Sequence, residues 1–212
     1  MFGEHLKKSR DLMEIHRYQN KFKHKKRTVA EHSWFVSKVA HGLALWEVNK
    51  FKNTEVSMED VLFLAINHDI IEGYTGDIIS TTKNYSSVMK EELEKIETLI
   101  FENEILKTLP NSWGDMYLNL NKEMSEITSV NAKIVKAADL IDRMYECIEE
   151  IELGNVKIFE DILKKDIQKL FDLNLMSSNY FLKYATKDIG MFEYIPLEIT
   201  MELDQQDFSN FF

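Results

Sequence analysis

Apolar residues in this 212-residue chain recur at three- and four-residue steps, and no stretch alternates apolar and polar residues at period two for long. That pattern predicts amphipathic helices. Seven glycines and two prolines are few for such a length, which favours long helices with short connections over a turn-rich β fold. The expectation is an all-α protein. A 44% apolar share suits a globular chain, and 212 residues bury a core without disulfides in one domain.

Individual helices follow from the spacing. His5 to Tyr18 carries Leu6, Leu12, Met13 and Ile15. Thr28 stands where it caps the next helix, with Glu31 at the third helical position, as in a capping box. That helix is expected to run to about Asn49 with Val36, Val39, Ala40, Leu43 and Trp46 on one face. Another begins at Ser57 and stops near Gly73. Ser87 to Lys107, Pro110 to Asn121, Asn131 to Leu153, Phe159 to Leu173 and Ser178 to Tyr184 complete the set, with Gly154-Asn155 ending the longest. The tail after Gly190 is acidic and aromatic (Phe208, Phe211, Phe212) and is expected to pack on the body or to fray. Residues 1–190 therefore form the domain and 191–212 the tail.

Composition narrows the function classes. The lone Cys147 cannot make an internal disulfide, and its neighbours mark it as a small apolar core residue, so a reducing compartment is the simplest expectation. No apolar run approaches the roughly 20 residues that span a bilayer. Met1 to Arg10 is polar and charged, with no signal-peptide core. A cytoplasmic protein without a membrane partner is expected. A net charge of −10 argues against a nucleic-acid polymer as partner, while a small anion still binds where local charge is positive.

The chemistry concentrates in a few places. His32 lies at the start of an apolar helix, sharing a face with Phe35, Val36 and Val39. His68 and Asp69 end the apolar run from Val61 to Ile66, where an unpaired charge is costly. Asp139 lies in a third apolar stretch, Lys136-Ala137-Ala138-Asp139. Two histidines and two aspartates from three helices can hold one divalent cation, which points to a metal-dependent phosphohydrolase. Glu72, four residues after His68, falls on the same helical face, where a general acid or base belongs. Gly76 lets the chain turn, and Asp77 can accept from a sugar hydroxyl. Arg17 and the run from Lys21 to Arg27 are the only dense positive charge; an arginine fork matches phosphate geometry, and Tyr18 beside it can border a nucleoside.

Each residue has a plainer alternative. A lone histidine on an apolar face is usually a hydrogen-bonded core residue. His68 also suits a helix C-terminus, and Asp139 can pair with Lys136 or Arg143. Asp142, beside Arg143, reads as half of a surface charge pair. The basic run reads equally as a solvated loop, and Tyr18 as a core tyrosine. His41 is nine residues from His32, about 180° around the helix, and His5, His16 and His24 lie among polar residues.

Taken together, Ile15-His16-Arg17-Tyr18, Val29-Ala30-Glu31-His32-Ser33, Val39 to Ala44, His68 to Asp77 and Lys136 to Asp139 resemble the HD-domain superfamily of metal phosphohydrolases, and more closely the YfbR-like 5′-deoxynucleotidases. The likeness covers roughly Arg10 to Gly154. It implies an all-α HD-domain bundle with a metal site between helices, and a homodimer. It implies that His32, His68, Asp69 and Asp139 bind one divalent ion (Co²⁺, Mn²⁺ or Mg²⁺), that Glu72 activates the attacking water and that Arg17 orients the phosphate. It places Asp77, Ile78, Ile79 and Ser80 along the substrate. The family usually carries Trp after the arginine, where it helps exclude a ribose 2′-hydroxyl, and often Pro two residues after the Thr-Gly-Asp aspartate. Here these positions are Tyr18 and Ile79.

The expected reaction is hydrolysis of a (deoxy)nucleoside 5′-monophosphate to nucleoside and phosphate. The alternatives are a dNTP triphosphohydrolase or pyrophosphohydrolase on the same scaffold, favoured by the basic run, and a nucleotide-binding module without catalysis.

Overall fold

The computed structural model describes residues 2–208, apart from the side chains of Ser80 and Leu120. Phe211 and Phe212 lie outside the described residues. Among the described residues twelve α-helices follow in order: α1 (Phe2–Asp11), α2 (Val29–Leu45), α3 (Met58–Asn67), α4 (Glu72–Thr75), α5 (Ser80–Lys83), α6 (Ser87–Ile100), α7 (Gly114–Glu126), α8 (Val130–Glu152), α9 (Val156–Asp172), α10 (Met176–Tyr180), α11 (Thr186–Asp188) and α12 (Leu197–Gln205). Among the described residues the only β pairing is a single bridge between His16 and Thr28. The fold is all-α, as periodicity predicts. No described helix is long and apolar enough to cross a membrane.

Several helices change pitch where the sequence suggests one uninterrupted run. π-helical turns at Trp46–Lys50, Phe101–Ile105 and Phe181–Ala185 continue α2, α6 and α10. Apolar periodicity persists through such turns, so spacing alone does not reveal them. Helix α7 begins at Gly114, after a 3₁₀ turn over Asn111–Trp113, and runs to Glu126, beyond the expected Asn121.

The chain forms two compact units, each built from two segments. The first comprises Met1–Trp34 and Ile66–Ser125. Here α1 packs on α4, with Gly73 facing the Lys8 carbonyl oxygen. His5, which sequence context placed among polar residues, is instead buried, its ring edge-on to Tyr117 with centroids 5.9 Å apart. Burial pushes its pKa down.

The second unit comprises Phe35–Ala65 and Glu126–Phe212. Its centre is α8 against α9. Ser129 caps α8 by accepting from the Ala132 N–H at 3.0 Å, and Gly154, at φ +96°, ends the run. Helix α8 packs on α9; Ile141, Met144 and Cys147 of α8 are buried, and the buried Phe159, Leu163, Ile167 and Leu170 of α9 recur at four-, four- and three-residue steps. Glu47 is a buried carboxylate that ties two segments together. It accepts from the Ser177 N–H at 2.8 Å at the start of α10 and from Asn53 Nδ2 at 3.3 Å. Beyond Gly190 the chain forms α12, which buries Ile199 and Leu203, and then Phe208, whose ring lies 5.6 Å from Tyr180 and 6.1 Å from Phe51.

Leu163→Ala removes a fully buried side chain from α9 and is expected to lower unfolding free energy by about 2–5 kcal/mol. Leu197→Ala, on an exposed side chain, is expected to stay within about 0.5 kcal/mol. Urea denaturation of the two variants against the parent checks both.

Candidate active site

The site begins at the hydrogen-bonded start of α2. Thr28 and Glu31 form the capping box expected from the sequence. The Thr28 N–H donates to Glu31 Oε2 at 2.7 Å, and the Glu31 N–H donates to Thr28 Oγ1 at 3.2 Å. This fixes the first turn of α2 and so His32, which is 1% exposed. Before the cap, the chain closes a loop at its neck: the Arg17 N–H donates to the Arg27 carbonyl at 2.9 Å and the Val29 N–H to the Ile15 carbonyl at 2.8 Å. Arg17 therefore enters the site from a pinned stem.

The helix expected from Ser57 to Gly73 is in fact broken. Helix α3 ends at Asn67, a tight turn follows, and α4 starts at Glu72. The turn is held by N–H groups of Ile70, Glu72 and Gly73 donating to carbonyls three residues earlier, at 3.0, 3.0 and 3.2 Å. The break has a direct consequence. Consecutive residues on an α-helix point about 100° apart. Released from the helix, the neighbours His68 and Asp69 both turn toward His32. Glu72 owes its position to this turn and not to sharing a helical face with His68.

The resulting geometry is close. His32 Nε2 and His68 Nε2 are 3.1 Å apart. Asp69 Oδ2 lies 3.3 Å from the former and 3.2 Å from the latter. Side chains of both histidines are nearly or fully buried. Ligand atoms that bind one cation at about 2.0–2.2 Å stand about 3–3.4 Å from each other. The three atoms match that spacing, and neutral imidazole with carboxylate is an ordinary donor set for a divalent transition metal. The residues present fit a metal ion.

Electrostatics sharpen the arrangement. Burial pushes the Asp69 carboxyl up, but the adjacent His68 and His32 imidazoles outweigh it and hold Asp69 well below the usual carboxylate range. Arg17 Nη1 approaches Asp69 Oδ2 at 3.7 Å. Glu72 goes the other way: burial, then the charges of Asp69 and Asp77, raise it to about 9, against the smaller pull of Arg17 and Lys83. Its Oε2 is buried with no hydrogen-bond partner among the described residues.

On the far side of Glu72, Gly76 takes a left-handed φ of +72°, and Asp77 follows. Asp77 Oδ2 accepts from the Tyr18 N–H at 3.0 Å. Tyr18 itself has φ +56°, a conformation that costs a residue with a Cβ on the order of 1 kcal/mol or more and persists only when held. Ile78 and Ile79 are half-buried; the Ser80 side chain lies outside the described ones.

In the second unit, Asp139 Oδ2 accepts from Lys136 Nζ at 2.7 Å, the plainer pairing read from the sequence. Asp142 is not on the surface: it is fully buried, and Arg143 pairs instead with Asp166 of α9, Nη2 to Oδ1 at 2.9 Å. Helix α8 is buried over most of its circumference, so a carboxylate beside an arginine falls inside. Two lysines escaped sequence reasoning. Lys83 is held by Glu97 at 3.2 Å and feels the charges of Glu72 and Asp69. Lys23 is nearly buried within a basic run that otherwise reads as solvated.

Comparison with known proteins agrees with this construction. Residues 4–189 match the family described as 5′-deoxynucleotidase YfbR-like. A 5′-deoxynucleotidase of Vibrio vulnificus is 36% identical over 129 residues, 60% of this chain and 64% of that protein, so the chain matches just under two thirds of that relative's length. A 5′-deoxynucleotidase of Photobacterium profundum is 34% identical over 164 residues, 77% of this chain and 82% of the relative. The crystal structure of an HD-domain phosphohydrolase from Listeria innocua superposes with a TM-score of 0.78 at 28% identity, covering 97% of this chain and 99% of that one. With its all-α HD-domain fold, the chain belongs to the YfbR-like 5′-deoxynucleotidase family.

Proposed function

We propose that this protein is a metal-dependent 5′-nucleotidase that hydrolyses (deoxy)nucleoside 5′-monophosphates to nucleoside and phosphate. One observation carries the reading: the convergence of His32 Nε2, His68 Nε2 and Asp69 Oδ2 within 3.3 Å of one another. The activity named for the Vibrio and Photobacterium relatives supports it. The ligands we assign to one divalent cation, Co²⁺, Mn²⁺ or Mg²⁺, are His32, His68, Asp69 and Asp139. When bound, such an ion supplies Lewis acidity toward the phosphoryl group and lowers the pKa of water.

The chain's own groups do the rest. Arg17 carries five donors in a planar fork, more than one carboxylate oxygen can use, and offsets charge on the phosphate oxygens in the transition state. Glu72 holds a proton at neutral pH in the cation-free protein. Burial and the Asp69 charge both hold that proton; a cation held by Asp69 would offset the second of these, and Glu72 would then be the group placed to take a proton from the attacking water. Asp77 accepts from a sugar hydroxyl, Tyr18 borders the nucleoside, and Ile78, Ile79 and Ser80 line the substrate. We further assign residues 1–190 as the phosphohydrolase and 191–212 as its tail, and take the protein as a cytoplasmic homodimer by family likeness.

The test is product identification after incubating metal-free protein with Mn²⁺, Co²⁺ or Mg²⁺ and each natural nucleotide. Phosphate and nucleoside from monophosphates are expected. Pyrophosphate or triphosphate from dNTPs would favour the triphosphohydrolase alternative, and binding without turnover would favour a non-catalytic module. EDTA is expected to abolish turnover and added cation to restore it. Glu72→Ala is expected to lower kcat by about 10²–10⁴-fold; activity near the parent value removes Glu72 from the mechanism.

The Glu72 proton also predicts a pH dependence of stability. Between an unfolded-state pKa of about 4.5 and a folded value of about 9, the folded chain keeps a proton that the unfolded chain releases. Stability of the metal-free protein therefore falls as pH rises through that window. Glu72→Gln lacks this loss. In EDTA the variant is expected to match the parent near pH 4.5 and to exceed it by on the order of 2 kcal/mol toward pH 8–9 in chemical denaturation.

A further inference from the structure

Lys23 stands apart from the rest of the basic loop. Lys25 and Lys26 are exposed, yet Lys23 is only 9% exposed, a rare state for a lysine. Its ammonium sits 4.7 Å from the centroid of the Tyr18 ring, and the Arg17 guanidinium lies 5.7 Å from the same centroid. Tyr18 is held by its backbone as well, at φ +56° with its N–H donated to Asp77 Oδ2 at 3.0 Å. One tyrosine thus joins the guanidinium, the Asp77 carboxylate and the ammonium of a nearly buried lysine. A cation over an aromatic face is attracted more strongly when desolvated, and a ring with only two side-chain torsions is oriented by one such contact.

We propose that Lys23 is a specificity-determining positioning residue. By holding the Tyr18 ring beside the Arg17 guanidinium, it sets the wall along which the sugar of a nucleoside 5′-monophosphate lies. The assignment rests on the nucleotidase reading above. The sugar joins phosphate to base, so a ring beside a phosphate-binding guanidinium, on a residue whose N–H is held by a hydroxyl-accepting carboxylate, meets the sugar before it meets the base. Lys23 does not touch substrate in this assignment. It acts through Tyr18, and a shift of that ring changes the space on the sugar face where ribose and deoxyribose differ.

The experiment is steady-state phosphate release from matched pairs such as dAMP and AMP, with Mn²⁺, by the parent protein, Lys23→Met and Lys23→Arg. Lys23→Met is expected to raise KM about fivefold to tenfold for at least one sugar series while kcat stays within about threefold. It is also expected to change the deoxy-to-ribo ratio of kcat/KM by about threefold or more. Lys23→Arg keeps a cation over the ring and is expected to restore both values. Tyr18→Leu supplies a second route should Lys23→Met fail to fold. It must move the ratio in the same direction, and the double variant must move it no further. Ratios and KM values that ignore Lys23, or shifts that add in the double variant, overturn the assignment. An absence of phosphate release from every monophosphate by the parent protein overturns the nucleotidase reading and this assignment with it, a result distinct from an active enzyme insensitive to Lys23.

Discussion

A half-buried carboxylate in contact with two buried imidazoles is the constraint around which the first unit is arranged. Asp69 Oδ2 lies within 3.3 Å of both His32 Nε2 and His68 Nε2, in surroundings where an uncompensated charge is expensive. Three donors so placed have little reason to meet except to share a positive charge. Several local features that look unrelated serve that meeting. The capping box fixes the angle at which α2 begins, the pinned loop neck delivers Arg17, and the interruption after Asn67 frees two adjacent residues to face the same point. Each is a local device with a consequence several ångströms away.

The same carboxylate organises the protons. Asp69, Glu72 and Asp77 are three acids close enough for their charges to be felt, and Arg17 and Lys83 are the cations that act on Glu72 in return. Burial and like charge work in one direction on Glu72, so it is the acid that stays protonated, while Asp69, beside two imidazoles, is the one that ionises. Two carboxylates three residues apart thus hold opposite protonation states for reasons visible in their contacts. That difference suits the roles proposed for them, Asp69 as a ligand and Glu72 as the group that carries a proton.

How far the sequence reveals all this depends on the range of the interaction. The Thr28–Glu31 box is local, three residues wide, and was legible. So were the long helix of the second unit, with its Ser129 start and Gly154 stop, and the burial of Cys147. The set of candidate residues was legible because His32, His68, Asp69 and Asp77 each sit at a helix end or turn where a polar group needs a reason. The break after Asn67 was not, because Ile70 and Ile71 continue the apolar run and periodicity does not register a change of pitch. Asp142 was misread for a related reason: an adjacent arginine suggests solvent, but burial is decided by what packs around α8. Lys23 differs from its neighbours in the basic run only by its position over a ring, a tertiary fact with no one-dimensional trace.

The chain's overall charge and the charge of its site pull in opposite directions. At −10 the protein as a whole repels an anionic nucleotide. That repulsion is screened over about 8–10 Å at physiological ionic strength. Inside that distance the balance is set by individual groups, and there Arg17 and Lys23 share one aromatic ring while Lys83 acts on Glu72. These cations are held by Asp69, by Tyr18 and by Glu97 respectively, not left on mobile stems. Fixed charges lose less entropy when they engage an anion than mobile ones do. A small anion is therefore met by local, preset positive charge, whereas a long polyanion also meets the acidic remainder of the surface. The acidic composition and the local cations act at different ranges: the whole disfavours a long polyanion, while the fixed cations near Asp69 and Tyr18 suit the small anionic substrate proposed above.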